Sequence, residues 1–120
     1  MWIFCKHGFF SVVEHRDDRR FLHVRARFRG DLERFFAARG IQTEITETPD
    51  ADYRFRATVW REWWESAIVA ETRDIDYVNF KAAAEGTPEW HNTLFVVWTA
   101  LRAGQARQAR EESWPGGSLA

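Results

Sequence analysis

The chain has little cysteine and lysine, and it has no long hydrophobic run. Cys5 is the only cysteine among 120 residues, so no disulfide can form within the chain, as is typical of a reducing compartment. The longest apolar stretch, residues 94–98, is far shorter than the roughly 20 residues of a membrane-spanning helix. Residues 1–7 lack the pattern of a signal peptide. These absences predict a soluble, cytoplasmic protein with no membrane partner.

Neither positive nor negative charge predominates in the sequence. The formal net charge is -1, which excludes a global field that draws the protein to nucleic acid or to an anionic membrane. Any basic site is therefore a local patch, and it is built from arginine, because only Lys6 and Lys81 are lysines. With 45% hydrophobic and 16% aromatic residues, the chain can bury a bulky core. We expect one domain over residues 1–112 and a flexible tail over residues 113–120.

Two short segments, residues 21–29 and 53–59, alternate arginine with apolar residues. Successive side chains of a strand point to opposite faces, so each segment has an apolar face and a basic face. If both strands belong to one sheet, that sheet has an apolar side and a guanidinium side. The residues predicted on the guanidinium side, and proposed there as binding residues, are His23, Arg25, Arg27, Arg54 and Arg56.

The patterns along the chain predict the order β-β-β-α-β-β-α-α-α. An N-terminal hairpin covers residues 2–6 and 9–15, and a Thr-rich strand covers residues 41–48. Asp31 is the predicted N-cap of the first helix, and Asp76 that of a short later helix. Thr87 and Pro88 start the last helix, which is expected to fray from Gly104. This order is typical of the α+β class, with a mainly antiparallel sheet of about five strands and helices on its apolar face.

Several of these segments carry a family likeness. They are Met1-Trp2-Ile3 followed by Gly8-Phe9-Phe10-Ser11-Val12-Val13, residues 24–27 and 31–33, the central run of residues 48–56, and Ile75-Asp76-Tyr77-Val78-Asn79-Phe80-Lys81. Together with Trp98, this pattern resembles a group of small bacterial proteins of unknown function. The resemblance covers roughly residues 1–101. It implies no activity.

Two hypotheses explain the basic side of the sheet. In one, its arginines pair with Glu14, Glu44 and acidic residues of loops, as cross-strand ion pairs do. In the other, the side is open and binds phosphate or an acidic protein through the planar arginine forks. Readers of single-stranded RNA place stacking aromatics among the basic residues. The alternation puts Phe28, Tyr53 and Phe55 on the opposite face. It therefore argues against a protein that binds single-stranded RNA by stacking.

The sequence gives little support to catalysis or metal binding. Cys5 and His7 share a strand face, and His15 and His23 lie in neighbouring strands, but their spacing matches no zinc motif. No nucleophile motif or phosphate-binding loop is present. We therefore expect no catalytic residue, no metal and no cofactor. If the protein is an enzyme, the polar cluster over Asp76–Lys81 is the predicted site.

Adjacent tryptophans on a helix cannot face the same way, so either Trp63 or Trp64 is expected to be exposed or to lie under another element. An exposed tryptophan is a good interface anchor, and Trp114 near the C-terminus adds a third candidate. The primary hypothesis is a small binding protein whose partner is protein, with self-association to a homodimer included. The first alternative is a nucleic-acid or phosphate-ligand binder using the arginine-rich side of the sheet. The second is a small enzyme.

Overall fold

The computed structural model of the chain describes residues 1–113, and there the elements follow the predicted order. The strands are β1 (Trp2–Cys5), β2 (Gly8–Glu14), β3 (Phe21–Ala26), β4 (Thr46–Glu47) and β5 (Phe55–Trp60). The helices are α1 (Arg29–Arg39), α2 (Arg61–Arg73), α3 (Phe80–Ala83) and α4 (Pro88–Glu112). The predicted α+β class is confirmed.

The strands form one antiparallel sheet in the order β1-β2-β3-β5-β4. Val12, Val24 and Ala57 are cross-strand partners in β2, β3 and β5, and all three are buried. The next row along the strands points to the other side of the sheet. That row crosses all five strands and consists of Trp2, Ser11, Arg25, Arg56 and Thr46.

The sheet is therefore two-sided. Its apolar side packs against α1 and α2, whose buried residues join the same core. We call the opposite side the arginine face. Its strand residues are Trp2, Phe4, Phe9, Ser11, Val13, Phe21, His23, Arg25, Thr46, Arg56, Thr58 and Trp60.

Three aromatic rings occupy the centre of the core. Phe10 of β2 lies 5.1 Å from Phe35 of α1, and Phe35 lies 5.2 Å from Trp64 of α2, between ring centroids. All three side chains are buried. Burying a phenylalanine side chain contributes about 1.5–3 kcal/mol, so this cluster is a main source of the free energy that holds both helices on the sheet.

Two predicted N-caps are corrected. Helix α1 begins at Arg29, so Asp31 lies in its first turn rather than before it. The Asp31 carboxylate instead accepts a hydrogen bond from the backbone N–H of Phe9, at 3.2 Å, and pairs with Arg34. The cap of α3 is Asn79, whose side chain accepts from the N–H of Ala82, and not Asp76.

Two predicted lengths also differ. The strand expected over residues 41–48 is reduced to Thr46–Glu47, because residues 41–45 do not join the ladder of β5. Helix α4 does not fray at Gly104 but continues to Glu112, and Ser113 is its C-cap. The rest of the predicted tail, including Trp114, lies outside the described residues.

The chain divides into two units, residues 1–85 and the residues from 86 onward. The first contains the whole sheet with α1, α2 and α3. The second contains α4, whose start is fixed as predicted: the Thr87 hydroxyl accepts from the N–H of Trp90 at 3.2 Å, and Pro88 occupies the first turn. Across residues 1–113, no helix combines the length and the apolar character that crossing a bilayer requires.

Gly8 is a position where a side chain does not fit. Its φ is 153°, and a Cβ there would collide with the Asp31 carboxyl group that holds β2 against α1. We predict that Gly8→Ala lowers the free energy of unfolding by about 1–3 kcal/mol, measured by urea denaturation. The control is Gly104→Ala in α4, where the added methyl makes ordinary contact and is expected to be neutral or stabilising by up to about 1 kcal/mol. Equal stability of Gly8→Ala and wild type would contradict this account.

Candidate functional site

The arginine face carries no carboxylate at any of its strand positions within the described residues. Basic and aromatic side chains alternate there with Ser11, Thr46 and Thr58. The acidic residues of the strands, Glu14 and Glu47, lie on the other side of the sheet, where their cross-strand partners are Leu22 and Phe55 respectively. The face is therefore positive although the whole chain is nearly neutral.

Arg25 and Arg56 stand directly opposite each other on β3 and β5. Like charges in this position destabilise a sheet. Within residues 1–113 neither guanidinium has a carboxylate within ion-pair distance. The two arginines are therefore a pair of positive charges that no acid of the described chain neutralises.

Neutral groups hold these arginines in place. Arg25 donates to the Ser11 hydroxyl at 2.7 Å and, more weakly, to the Ser11 carbonyl at 3.5 Å. Arg56 donates to the Tyr53 carbonyl at 3.3 Å, while its Nε is buried without a hydrogen-bond partner. A guanidinium has five N–H donors, so both side chains keep donors that these contacts do not use. The arrangement suits an external acceptor with several oxygens.

The Tyr53 ring lies against Arg25 and Arg27, which corrects its predicted place on the apolar face. The guanidinium groups of Arg25 and Arg27 lie 4.8 and 4.3 Å from the centroid of its ring. The chain bends through residues 51–54, and β5 begins only at Phe55, so strand alternation does not extend back to Tyr53. Tyr53 is buried and is not part of the sheet–helix core. Its stacking orients Arg25 without neutralising it.

Arg27 and Arg54 have acidic partners, unlike Arg25 and Arg56. Arg27 lies 3.2 Å from an Asp52 carboxylate oxygen, and Arg54 lies 2.6 Å from one of Glu47. Both pairs are exposed, and each contributes at most about 1 kcal/mol. Internal ion pairing thus accounts for Arg27 and Arg54 but not for Arg25 and Arg56. Glu14, a predicted partner of the face, pairs instead with Arg19 and Arg61.

His23 adjoins the arginine pair on β3. Its ring stacks on that of His15 with centroids 4.7 Å apart, and its Nδ1 lies 3.5 Å from the Thr58 hydroxyl. Burial, followed by the charges of His15, Arg56 and Arg25, lowers the pKa of His23 below its ordinary value. A negative ligand at the arginines would offset the part of this shift that comes from charge.

Aromatic rings flank the basic residues, and this corrects the argument against stacking on this face. Phe21 and Trp60 are cross-strand partners with ring centroids 4.0 Å apart, and Arg20 lies 5.7 Å from the Trp60 ring. On the β1 side, Trp2 lies 6.0 Å from Phe9. The sequence already indicated that Phe21 lies on this face, because it is two residues from His23 and four from Arg25 in the same strand. Only the register of the hairpin and of β5 brings the other rings to the same face.

A second charged cluster lies on the helix side of the sheet. Buried His7 places Nδ1 and Nε2 each 3.1 Å from a carboxylate oxygen, of Glu85 and Glu71 respectively, although the Nε2 contact is not aligned as a hydrogen bond. Arg39 also bridges Glu71 and Asp74. These contacts join α1 and α2 to the turn between β1 and β2, so the cluster ties both helices to the sheet.

Cys5 and the histidines do not assemble into a site. Burial raises the pKa of the Cys5 thiol to about 11, which keeps it protonated and unreactive at neutral pH. Cys5 lies on the helix-covered side of the sheet, whereas His23 lies on the arginine face. Among residues 1–113 no group of His, Cys, Asp and Glu side chains could hold a metal ion.

Trp63 and Trp64 lie on α2, which packs on the side of the sheet opposite the arginine face. Trp64 is buried in the core, whereas Trp63 is 46% exposed and lines a groove of about 420 Å³ between the C-terminal end of α1 and α2. Trp114 lies outside the described residues. In the Asp76–Lys81 segment, Asn79 serves as a helix cap, and the Tyr77 and Phe80 rings lie 6.2 Å apart.

The lowered pKa of His23 predicts a pH-dependent stability. The unfolded chain takes up the His23 proton at its ordinary pKa near 6.5, before the folded protein does, so acidification through this range favours unfolding. We expect the unfolding free energy of wild type to fall relative to that of His23→Gln between about pH 7.5 and 5.5. The same comparison in an Arg56→Gln background should show a smaller pH-dependent difference. A difference that does not change with pH would contradict the assignment.

Comparison with known proteins adds no assignment to this geometry. No family model, curated protein or solved structure matches the chain. The resemblance to small bacterial proteins therefore stays a prediction, and any function is inferred from the contacts of the arginine face.

Proposed function

We propose that this protein is a binding protein that takes a phosphate-bearing polyanion on its arginine face. One observation carries the proposal: Arg25 and Arg56 stand opposite each other on a face without carboxylates, and no acid within residues 1–113 pairs with either. A bound phosphate would neutralise both guanidinium groups and accept from the donors that Ser11 and Tyr53 leave unused. Arginine forks match the oxygens of a phosphate group in geometry.

Preorganisation supports the proposal. Arg25 is held by the Ser11 hydroxyl and by the Tyr53 ring, so a ligand would order little of its side chain on binding. Arg56 uses one terminal nitrogen for the Tyr53 carbonyl and keeps further terminal N–H donors that a phosphate would use. Neither feature requires a catalytic group, and the proposal contains no reaction.

The test compares two double variants that remove the same charge. Arg25→Gln with Arg56→Gln removes the unneutralised pair, and Arg54→Gln with Arg61→Gln removes two arginines that are ion-paired with Glu47 and Glu14. Isothermal titration with inorganic polyphosphate should show a loss of at least about tenfold in affinity for the first variant. The slope of log K against log salt concentration should become shallower by about 1.5–2 for this variant.

The second variant controls for the overall charge of the protein. We expect its affinity and salt dependence to stay close to wild type, with circular dichroism confirming that both variants are folded. Equal losses in the two variants would indicate a diffuse charge effect. Equal losses, or no binding by wild type at low salt, would contradict the proposed site.

A protein contact is the second candidate, and exposed Trp63 favours it. The groove beside Trp63 is lined in part by the small apolar residues Ala38, Ala67 and Ala70. Aromatic residues with such surroundings are common interface anchors. We propose a second copy of the chain as the partner there. In light scattering at increasing concentration, wild type should then show a dimer mass that Trp63→Ala lacks. A monomer at all concentrations would contradict this candidate.

A further inference from the structure

The aromatic rings of the arginine face define the class of polyanion, on the basis of the function proposed above. Phe21 and Trp60 form one ring pair, and each is partly exposed. Trp2 is 74% exposed and packs edge-on against Phe9 on the other side. Inorganic phosphate or a simple polyphosphate has no group that uses these rings. A nucleic acid supplies both phosphates and flat bases.

The spacing of these groups places aromatic rings within a few nucleotides of phosphates bound at the arginine pair. Phe21 precedes Arg25 by four residues on β3, which corresponds to about 13 Å at the rise of a strand. Trp2 and Arg25 occupy the same register row two strands apart, which corresponds to about 10 Å. From Arg25, the Phe21–Trp60 pair lies along the strand and Trp2 lies across the strands, so the two aromatic groups lie in roughly perpendicular directions, each about 10 Å or more away. A surface that combines rings with positive charge is how single strands are held without sequence readout.

Positive charge together with partly exposed rings favours a single strand over a duplex. The face presents positive charge and no carboxylate at its strand positions, whereas Arg20 beside the Trp60 ring is ion-paired with Asp18. Bases in a duplex are stacked on each other, so their faces do not reach a flat sheet. We infer that the arginine face binds single-stranded nucleic acid, with phosphates at Arg25 and Arg56 and bases stacked on the Phe21–Trp60 pair and on Trp2.

The experiment measures fluorescence anisotropy with a labelled oligothymidylate, a matched oligouridylate and a duplex of the same length. We expect either single strand to bind at least about tenfold more tightly than the duplex. Phe21→Leu with Trp60→Leu keeps the apolar bulk and every charge. It should weaken single-strand binding by about tenfold or more and leave both the salt dependence and the affinity for inorganic polyphosphate unchanged.

Two further variants provide a second test and a control. Trp2→Leu changes a largely exposed residue at the sheet edge and should also weaken single-strand binding, so the inference stays testable if the double variant fails to fold. Val69→Ala shortens an exposed apolar side chain on α2, on the helix-covered side of the sheet, and should bind like wild type.

The outcomes separate the two proposals. Polyphosphate binding that depends on Arg25 and Arg56, without preference for single strands or without an effect of the aromatic variants, would overturn the nucleic-acid inference and leave the anion site standing. Absence of binding to polyphosphate and to all nucleic acids would overturn the anion site itself.

Discussion

The pairing of β3 with β5 is the constraint on which both sides of the molecule depend. Its register aligns Leu22 with Val59 and Val24 with Ala57, and these residues form the floor beneath the helices. The same register necessarily brings Arg25 opposite Arg56, because side chains alternate along both strands. A shift of one residue would bury the arginines and expose the core, so burial of the apolar rows enforces the juxtaposition of the two charges.

Placing two guanidinium groups opposite each other works against folding, and the surrounding contacts offset only part of this cost. The Tyr53 ring and the Ser11 hydroxyl stabilise the position of Arg25, but they bring no negative charge. The lowered pKa of His23 has the same origin in part, since Arg56 and Arg25 disfavour its charged form. Residues that oppose stability while the rest of the fold is well satisfied are typical of binding sites.

The two sides of the sheet could be predicted from the alternation in β3 and β5, which placed His23, Arg25 and Arg56 together. The prediction extended too far at the ends of these strands. The bend before Phe55 places the Tyr53 ring against Arg25 and Arg27. Arg27 and Arg54, outside the strands, meet carboxylates of loop or edge residues. These positions depend on contacts between distant segments, which local periodicity does not contain.

The same limitation applies to the rest of the site. The contribution of the N-terminal hairpin, including Trp2 and Phe9, follows from the register of β1 and β2 with β3, which a single sequence does not specify. The capping role expected for Asp31 was replaced by a tertiary hydrogen bond to Phe9. In contrast, the Thr87–Pro88 start of α4 is a local signal, and it was predicted correctly.

The most direct test of the central claim is an NMR titration that follows the arginine Nε–Hε resonances while polyphosphate is added. The account predicts that the signals of Arg25 and Arg56 shift first and saturate together, while those of ion-paired Arg54 and Arg61 move little. Shifts distributed evenly over the arginines, or confined to residues outside the arginine face, would contradict a built anion site on this sheet.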